Sequence, residues 1–203
     1  MSGTMSVGTV REHPLPEGTE QPFPGLSTEK FAVWLFLASE VMFFAGLIVA
    51  YLTIRYSSPS WPVVSEVLNV PLVAANTFIL IVSSVTMVLA FDRAERGEAQ
   101  FRYFLLATAV LGTIFVTIQA VEWAELMGEG IHISTNLFGA TFYTLTGFHG
   151  AHVSGGVIWV LIVTIKAFRG RYAKNPLGVE LVGLYWHFVD VVWIILFTIL
   201  YLI

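Results

Sequence analysis

The chain has 203 residues, of which 56% are hydrophobic and 12% are charged, and it contains no cysteine. Its mean hydropathy of +0.77 excludes an ordinary water-soluble domain and indicates a membrane protein. Without cysteine, disulfides, thiolate metal sites and cysteine-attached c-type haem are excluded. The net charge of -4 does not suggest a nucleic-acid partner.

The first 30 residues predict a tail without a packed element. They contain four prolines and four glutamates but no apolar run, which fits neither a cleavable signal peptide nor a spanning helix. We therefore expect residues 1–30 to form a mobile, acidic and proline-rich tail. Residues 31–203 form the membrane domain.

Five apolar stretches follow the tail, and each is long enough to cross the roughly 30 Å of hydrocarbon in a bilayer. They cover about 31–54, 70–91, 101–126, 137–168 and 179–203. The predicted fold is all-α: a polytopic membrane protein with a bundle of five transmembrane helices.

The basic residues predict the orientation of this bundle. Nine of the ten lie before the first span, between the second and third, or between the fourth and fifth, and therefore on one side. Only Arg55 lies on the other side. Because basic residues accumulate in cytoplasmic loops, we expect a cytoplasmic N-terminus and a C-terminus on the outside.

Glu40 lies in the middle of the first span, surrounded by apolar and small residues. A carboxylate in the bilayer interior is costly, so such a group faces the protein and is protonated or paired. Two hypotheses stay open at this point. Glu40 either exchanges protons or is a neutral acid that joins two helices by a hydrogen bond.

Further polar side chains fall on single faces of the later spans. Glu122 shares a helix face with Gln119, and His149 and His152 are three residues apart on the fourth span. Glu180, His187 and Asp190 project to one side of the fifth span.

This set of imidazoles and carboxylates admits two interpretations, a metal site in the bundle core or hydrogen bonds between helices. We favour the second, because no Glu-x-x-His pair of the kind used by bundle-core di-metal sites occurs within a predicted span. No catalytic residue and no metal ligand is therefore predicted.

Five motifs follow one another along the chain. They are SEVMFF (Ser39 to Phe44), ANTFILIVSS (Ala75 to Ser84), the Gln119 and Glu122 pair, TGFHGAHVSGG (Thr146 to Gly156) and YWHFVDVVW (Tyr185 to Trp193). These motifs resemble those of subunit III of the haem-copper terminal oxidases. Their order and spacing are similar to the family over essentially residues 31–203. The last two motifs are long and specific.

The resemblance implies a non-redox subunit of a proton-pumping cytochrome c oxidase in a bacterial plasma membrane. This chain would carry no cofactor, with haem and copper held by partner subunits and phospholipid bound to the protein. Its main partner would be the catalytic subunit I, which it would stabilise while supporting proton uptake. Other oxidase subunits, membrane lipids and a larger respiratory supercomplex are further implied partners.

The resemblance also implies roles for the polar residues. Glu40 matches the intramembrane carboxyl of the family. The polar residues that lie between helices in the family correspond here to Glu122, His149, His152, Glu180, His187 and Asp190.

The sequence departs from longer members of the family, which have seven helices and a lipid-filled cleft beside the first two. Its five spans resemble the last five, so one wall of such a cleft would have to come from another chain or be absent, and no lipid-binding residue is assigned. Subunit III of a ubiquinol oxidase is an alternative, and a relative that accompanies nitric oxide reductases is a more distant one. A free-standing proton-coupled carrier is a third alternative, although five uninterrupted spans lack the repeats typical of transporters.

Overall fold

The computed structural model describes residues 27–172 and 175–203. Within those ranges every regular secondary-structure element is a helix. Residues 1–26 of the predicted tail lie outside the described residues. The helices are α1 (Thr28–Ser57), α2 (Val64–Val67), α3 (Val70–Glu95), α4 (Phe101–Gly128), α5 (Leu137–Phe168) and α6 (Leu177–Phe197), followed by a π-helical turn at Thr198–Leu202.

The five long helices are apolar enough to cross a membrane, and α6 does so together with the π-helical turn. This confirms the prediction of an all-α bundle with five spanning helices. The last spanning helix, α6, begins at Leu177 rather than at the predicted residue 179. Helix α5 extends over 32 residues.

Local capping explains where two of the helices begin. The Ser27 side chain accepts a hydrogen bond from the backbone N–H of Lys30 at 3.2 Å, so α1 begins at Thr28 rather than at the predicted residue 31. Asn69 caps α3 in the same way through the N–H of Leu72 at 3.2 Å. Pro71 occupies the first turn of α3, where a missing N–H has no cost.

The helices alternate in direction, so that α6 runs parallel to α1 and α4 and antiparallel to α3 and α5. Helix α6 packs against α1, α3 and α5, while α4 packs against α3 and α5. Ten residues of α6 are buried, against three of α1. Helix α6 therefore lies inside the bundle, and α1 lies at its periphery.

The two ends of the bundle differ in charge. One end, called the basic end below, carries the arginines and lysines at the C-termini of α3 and α5 and the N-terminus of α4. The opposite end, called the acidic end, carries Glu66 on α2 and Glu125 near the C-terminus of α4, with Glu129 just beyond it. Arg55 also lies at the acidic end, where its guanidinium contacts the Tyr51 hydroxyl and the carbonyl oxygens of Ile199 and Ile203.

Trp186 of α6 fills the space between α4 and α5 and is fully buried. Two glycines make room for its indole. A Cβ at Gly112 would overlap the ring, and one at Gly156 would lie 3.1 Å from it. The close approach of these helices therefore requires glycine at both positions.

We expect Gly112→Ala to lower the thermal stability of the protein in detergent. The added methyl group would force Trp186 or α4 to move, and overpacking of this kind costs about 1–3 kcal/mol. Gly46→Ala in α1 is the matched control, since no described atom lies within 4 Å of a Cβ there. Equal melting temperatures for the two variants would contradict this account of the α4–α6 contact.

Candidate functional site

Glu40 of α1 and His152 of α5 form a pair in the membrane interior. Oε2 of Glu40 lies 3.1 Å from Nε2 of His152, and their side chains are 17% and 19% exposed. The sequence indicated a partner on another helix for Glu40, and the structure identifies it as one of the two predicted histidines.

His152 makes a second contact within its own helix. Nδ1 of His152 lies 2.6 Å from the carbonyl oxygen of Phe148, which can only accept, so Nδ1 is the donor of this hydrogen bond. Nε2 is then the ring nitrogen that faces the Glu40 carboxyl. A hydrogen bond between Nε2 and Oε2 requires a hydrogen on one of these two atoms.

The same region of α5 is also joined to α6. The Tyr185 hydroxyl donates to the carbonyl oxygen of His152 at 2.9 Å. The Phe44 ring packs edge-on against His152, with 5.1 Å between ring centroids. Three helices therefore meet at His152, which holds its imidazole in position.

Glu122 of α4 forms a second polar contact nearer the acidic end. Glu122 is 2% exposed. Its Oε2 accepts a hydrogen bond from Nε2 of Gln119 at 2.6 Å and another from the Tyr201 hydroxyl at 3.0 Å. The sequence placed Gln119 and Glu122 on one face of the helix. Tyr201 was not predicted, since a tyrosine near the end of an apolar span usually anchors the helix at the interface.

The remaining polar residues of α6 face different neighbours. His187 Nδ1 lies 2.7 Å from the Ser84 hydroxyl of α3, and Asp190 lies close to both residues. Glu180 pairs instead with Lys30 at the basic end. Helix α6 therefore uses these three residues to contact α3 and α1 at different depths.

Two indole N–H groups of α6 also donate to hydroxyls of α3. Trp186 donates to Ser83 at 3.0 Å, and Trp193 donates to Thr77 at 2.9 Å. The hydroxyl partner of Trp193 lies 116 positions earlier in the chain, so no local pattern indicates it.

His149 of α5 differs from the other predicted residues because aromatic rings surround it. It is 1% exposed and stacks on Trp193 with 4.9 Å between centroids, while Phe44 and Phe115 contact it edge-on. Within residues 27–172 and 175–203, neither of its ring nitrogens has a hydrogen-bond partner.

The predicted residues are thus distributed over separate contacts. Over the described part of the chain, no group of three or more His, Asp or Glu side chains is placed to hold a metal ion. The geometry supports joining and positioning of helices.

We expect His149→Phe to leave the melting temperature in detergent unchanged or to raise it, because phenylalanine fits the aromatic surroundings and removes two buried nitrogens without partners. The gain is about 1 kcal/mol if a desolvation penalty is relieved. The control His152→Phe should lower the melting temperature, since it leaves Glu40 unpaired. The prediction would be contradicted if the wild type held one equivalent of copper, zinc or iron and His149→Phe removed it.

Comparison with known proteins identifies the family. The family described as cytochrome c oxidase subunit III matches residues 23–203. A probable cytochrome c oxidase subunit 3 of Mycobacterium tuberculosis is 37% identical over 183 residues, which is 89% of each chain.

Two further relatives differ in their names. The cytochrome c oxidase subunit 3 of Bacillus sp. strain PS3 is 36% identical over 171 residues, covering 83% of each chain. The cytochrome bo(3) ubiquinol oxidase subunit 3 of Pseudomonas aeruginosa is 35% identical over 174 residues, covering 85% of this chain and 83% of the relative. The resemblance stated from the motifs is confirmed, and this multi-pass bacterial membrane protein belongs to the cytochrome c oxidase subunit III family, as subunit III of a haem-copper oxidase.

Proposed function

We propose that this chain is the non-redox subunit III of a proton-pumping cytochrome c oxidase. In this proposal it stabilises the catalytic subunit I, supports proton uptake and binds phospholipid while the complex reduces oxygen. The haem and copper of the reaction belong to partner subunits, and this chain supplies packing surface and fixed polar groups.

The observation that carries this proposal is the pairing of polar side chains of this chain with one another. Glu40 with His152, Glu122 with Gln119 and Tyr201, and Lys30 with Glu180 each join helices or turns of this chain. Side chains that pair in this way can fix the positions of helices in a bundle. A bundle with its helices positioned in this way fits a supporting subunit.

Support for cytochrome c as the electron donor comes from sequence. The mycobacterial and Bacillus relatives carry the name cytochrome c oxidase, and the Ser39 and Glu40 motif is similar to that version of the subunit. The second candidate is a ubiquinol oxidase, which the Pseudomonas relative favours at 35% identity.

The proposed orientation places the basic end in the cytoplasm and the acidic end outside, according to the positive-inside rule. The carboxyl of Glu40 then lies between the two aqueous phases, where it pairs with His152 of α5.

The electron donor can be determined by purifying the complex in mild detergent through a tag ahead of Met1. We expect the optical spectrum of haem and oxygen consumption with reduced cytochrome c. Oxygen consumption with quinol and none with cytochrome c would assign the chain to the ubiquinol oxidases. A folded chain that purifies without haem or activity would contradict both assignments and favour the free-standing carrier.

Replacement of Glu40 by glutamine tests whether this carboxyl exchanges protons. Gln can donate an N–H to Nε2 of His152, so we expect normal assembly, turnover and number of protons pumped per electron. The control Glu40→Leu removes the hydrogen bond and should lower thermal stability by about 1–3 kcal/mol, since His152 loses its partner. A clear fall in turnover or pumping for Glu40→Gln alone would show that the proton itself is used.

A further inference from the structure

A pocket of about 260 Å³ opens at the acidic end, between α2 and the last turns of α4. Its wall contains four glutamates and no basic residue. They are Glu66, Glu122, Glu125 and Glu129. Glu122, Glu125 and Glu129 follow one another at intervals of three and four, so they lie along one face of α4 and its C-cap.

None of the four glutamates of this pocket forms an ion pair with another described residue. The ion pairs within residues 27–172 and 175–203 involve other acids: Glu40, Asp92, Glu98 and Glu180. Arg55, at the same end of the bundle, directs its guanidinium to Tyr51, Ile199 and Ile203. A cation that binds the pocket must therefore come from outside the described part of this chain.

The deepest glutamate provides a second, independent indication of a ligand. Glu122 is 2% exposed, and its Oε1 has no hydrogen-bond partner in the described ranges, whereas its Oε2 has two. A buried carboxyl oxygen without a hydrogen-bond partner costs free energy, since nothing replaces the water it has lost.

The arrangement of the carboxyl groups argues against a metal ion. Calcium and magnesium need several oxygens within a compact shell. Among the described residues no three carboxyl groups are placed for that purpose, although four line the pocket. A larger cation with several donors fits acids that are spread over a wall.

The apolar part of the wall indicates what carries this cation. Val67, Leu68 and Leu126 line the pocket together with the glutamates. Arginine and lysine have an apolar stem and a charged head, so one such side chain can contact both kinds of wall. Free inorganic cations have no stem to contact the leucines.

We propose that this pocket receives an arginine or lysine side chain from another chain of the oxidase complex. The inference goes beyond the proposed function, because it rests only on membership in an oxidase complex and assigns a contact at the acidic end. It holds equally for a cytochrome c oxidase and for a ubiquinol oxidase.

The test measures binding of the full-length chain to an oxidase complex that was expressed without it. Glu125→Gln together with Glu129→Gln removes two exposed carboxylates of the pocket. The matched control, Glu29→Gln together with Glu95→Gln, removes two exposed carboxylates at the basic end. The pocket variant should bind about fivefold more weakly at low salt, the upper range for exposed charge pairs, while the control binds as the wild type does.

Salt and chelators separate the alternatives. The difference between the pocket variant and the wild type should shrink at high salt, because screening weakens the attraction in the wild type. Equal binding of the two at low salt would overturn the proposal. The proposal would also be overturned if wild-type binding disappeared in a chelator and returned with calcium or magnesium, since the occupant would then be a metal ion.

The donor assay remains a separate measurement. Quinol oxidation by the wild-type complex would change the proposed function and leave this binding result standing. Equal binding by both variants would overturn the pocket proposal and leave the donor assignment standing.

Discussion

Helix α6 is held in the interior of the bundle by the two indole hydrogen bonds to α3. Inside a bilayer the surrounding lipid is as apolar as the helix faces, so burial of apolar surface gives little preference for one neighbour over another. Directed bonds such as Trp186 to Ser83 and Trp193 to Thr77 can supply that preference. Once α6 is placed against α3, its other faces determine where α1 and α5 dock.

The glycines and the aromatic rings complete this arrangement. Gly112 and Gly156 let α4 and α5 close around Trp186, and Trp193 stacks on His149. The same two tryptophans of α6 thus donate to hydroxyls of α3 and pack closely against α4 and α5, and the two kinds of contact together orient this helix. The carboxyl groups of the chain are then brought to their partners by helices whose positions are already determined, which suits a subunit that supports a catalytic neighbour.

Much of the fold could be predicted from sequence, because hydropathy over about 20 residues depends only on neighbours in the chain. The five spans and the polar residues within them were found in this way. The partners were harder to predict. Nothing local indicates that Tyr201 reaches Glu122, or that Arg55 turns to Ile199 instead of facing the membrane surface. Those contacts depend on how helices rotate and approach, which apolar stretches leave undetermined.

Helix α1 illustrates a further consequence of such contacts. Its buried residues Leu37, Phe44 and Tyr51 are seven apart and form a single narrow seam, and its two ends are held by Lys30 with Glu180 and by Arg55 with Ile203. These ends are 25 residues apart, which corresponds to about 37 Å of helix. Because both ends are tied to α6 or the turn after it, α1 cannot tilt independently when the membrane becomes thinner or thicker. The mismatch must then be absorbed by deformation of the surrounding lipid or by tilting of the whole bundle.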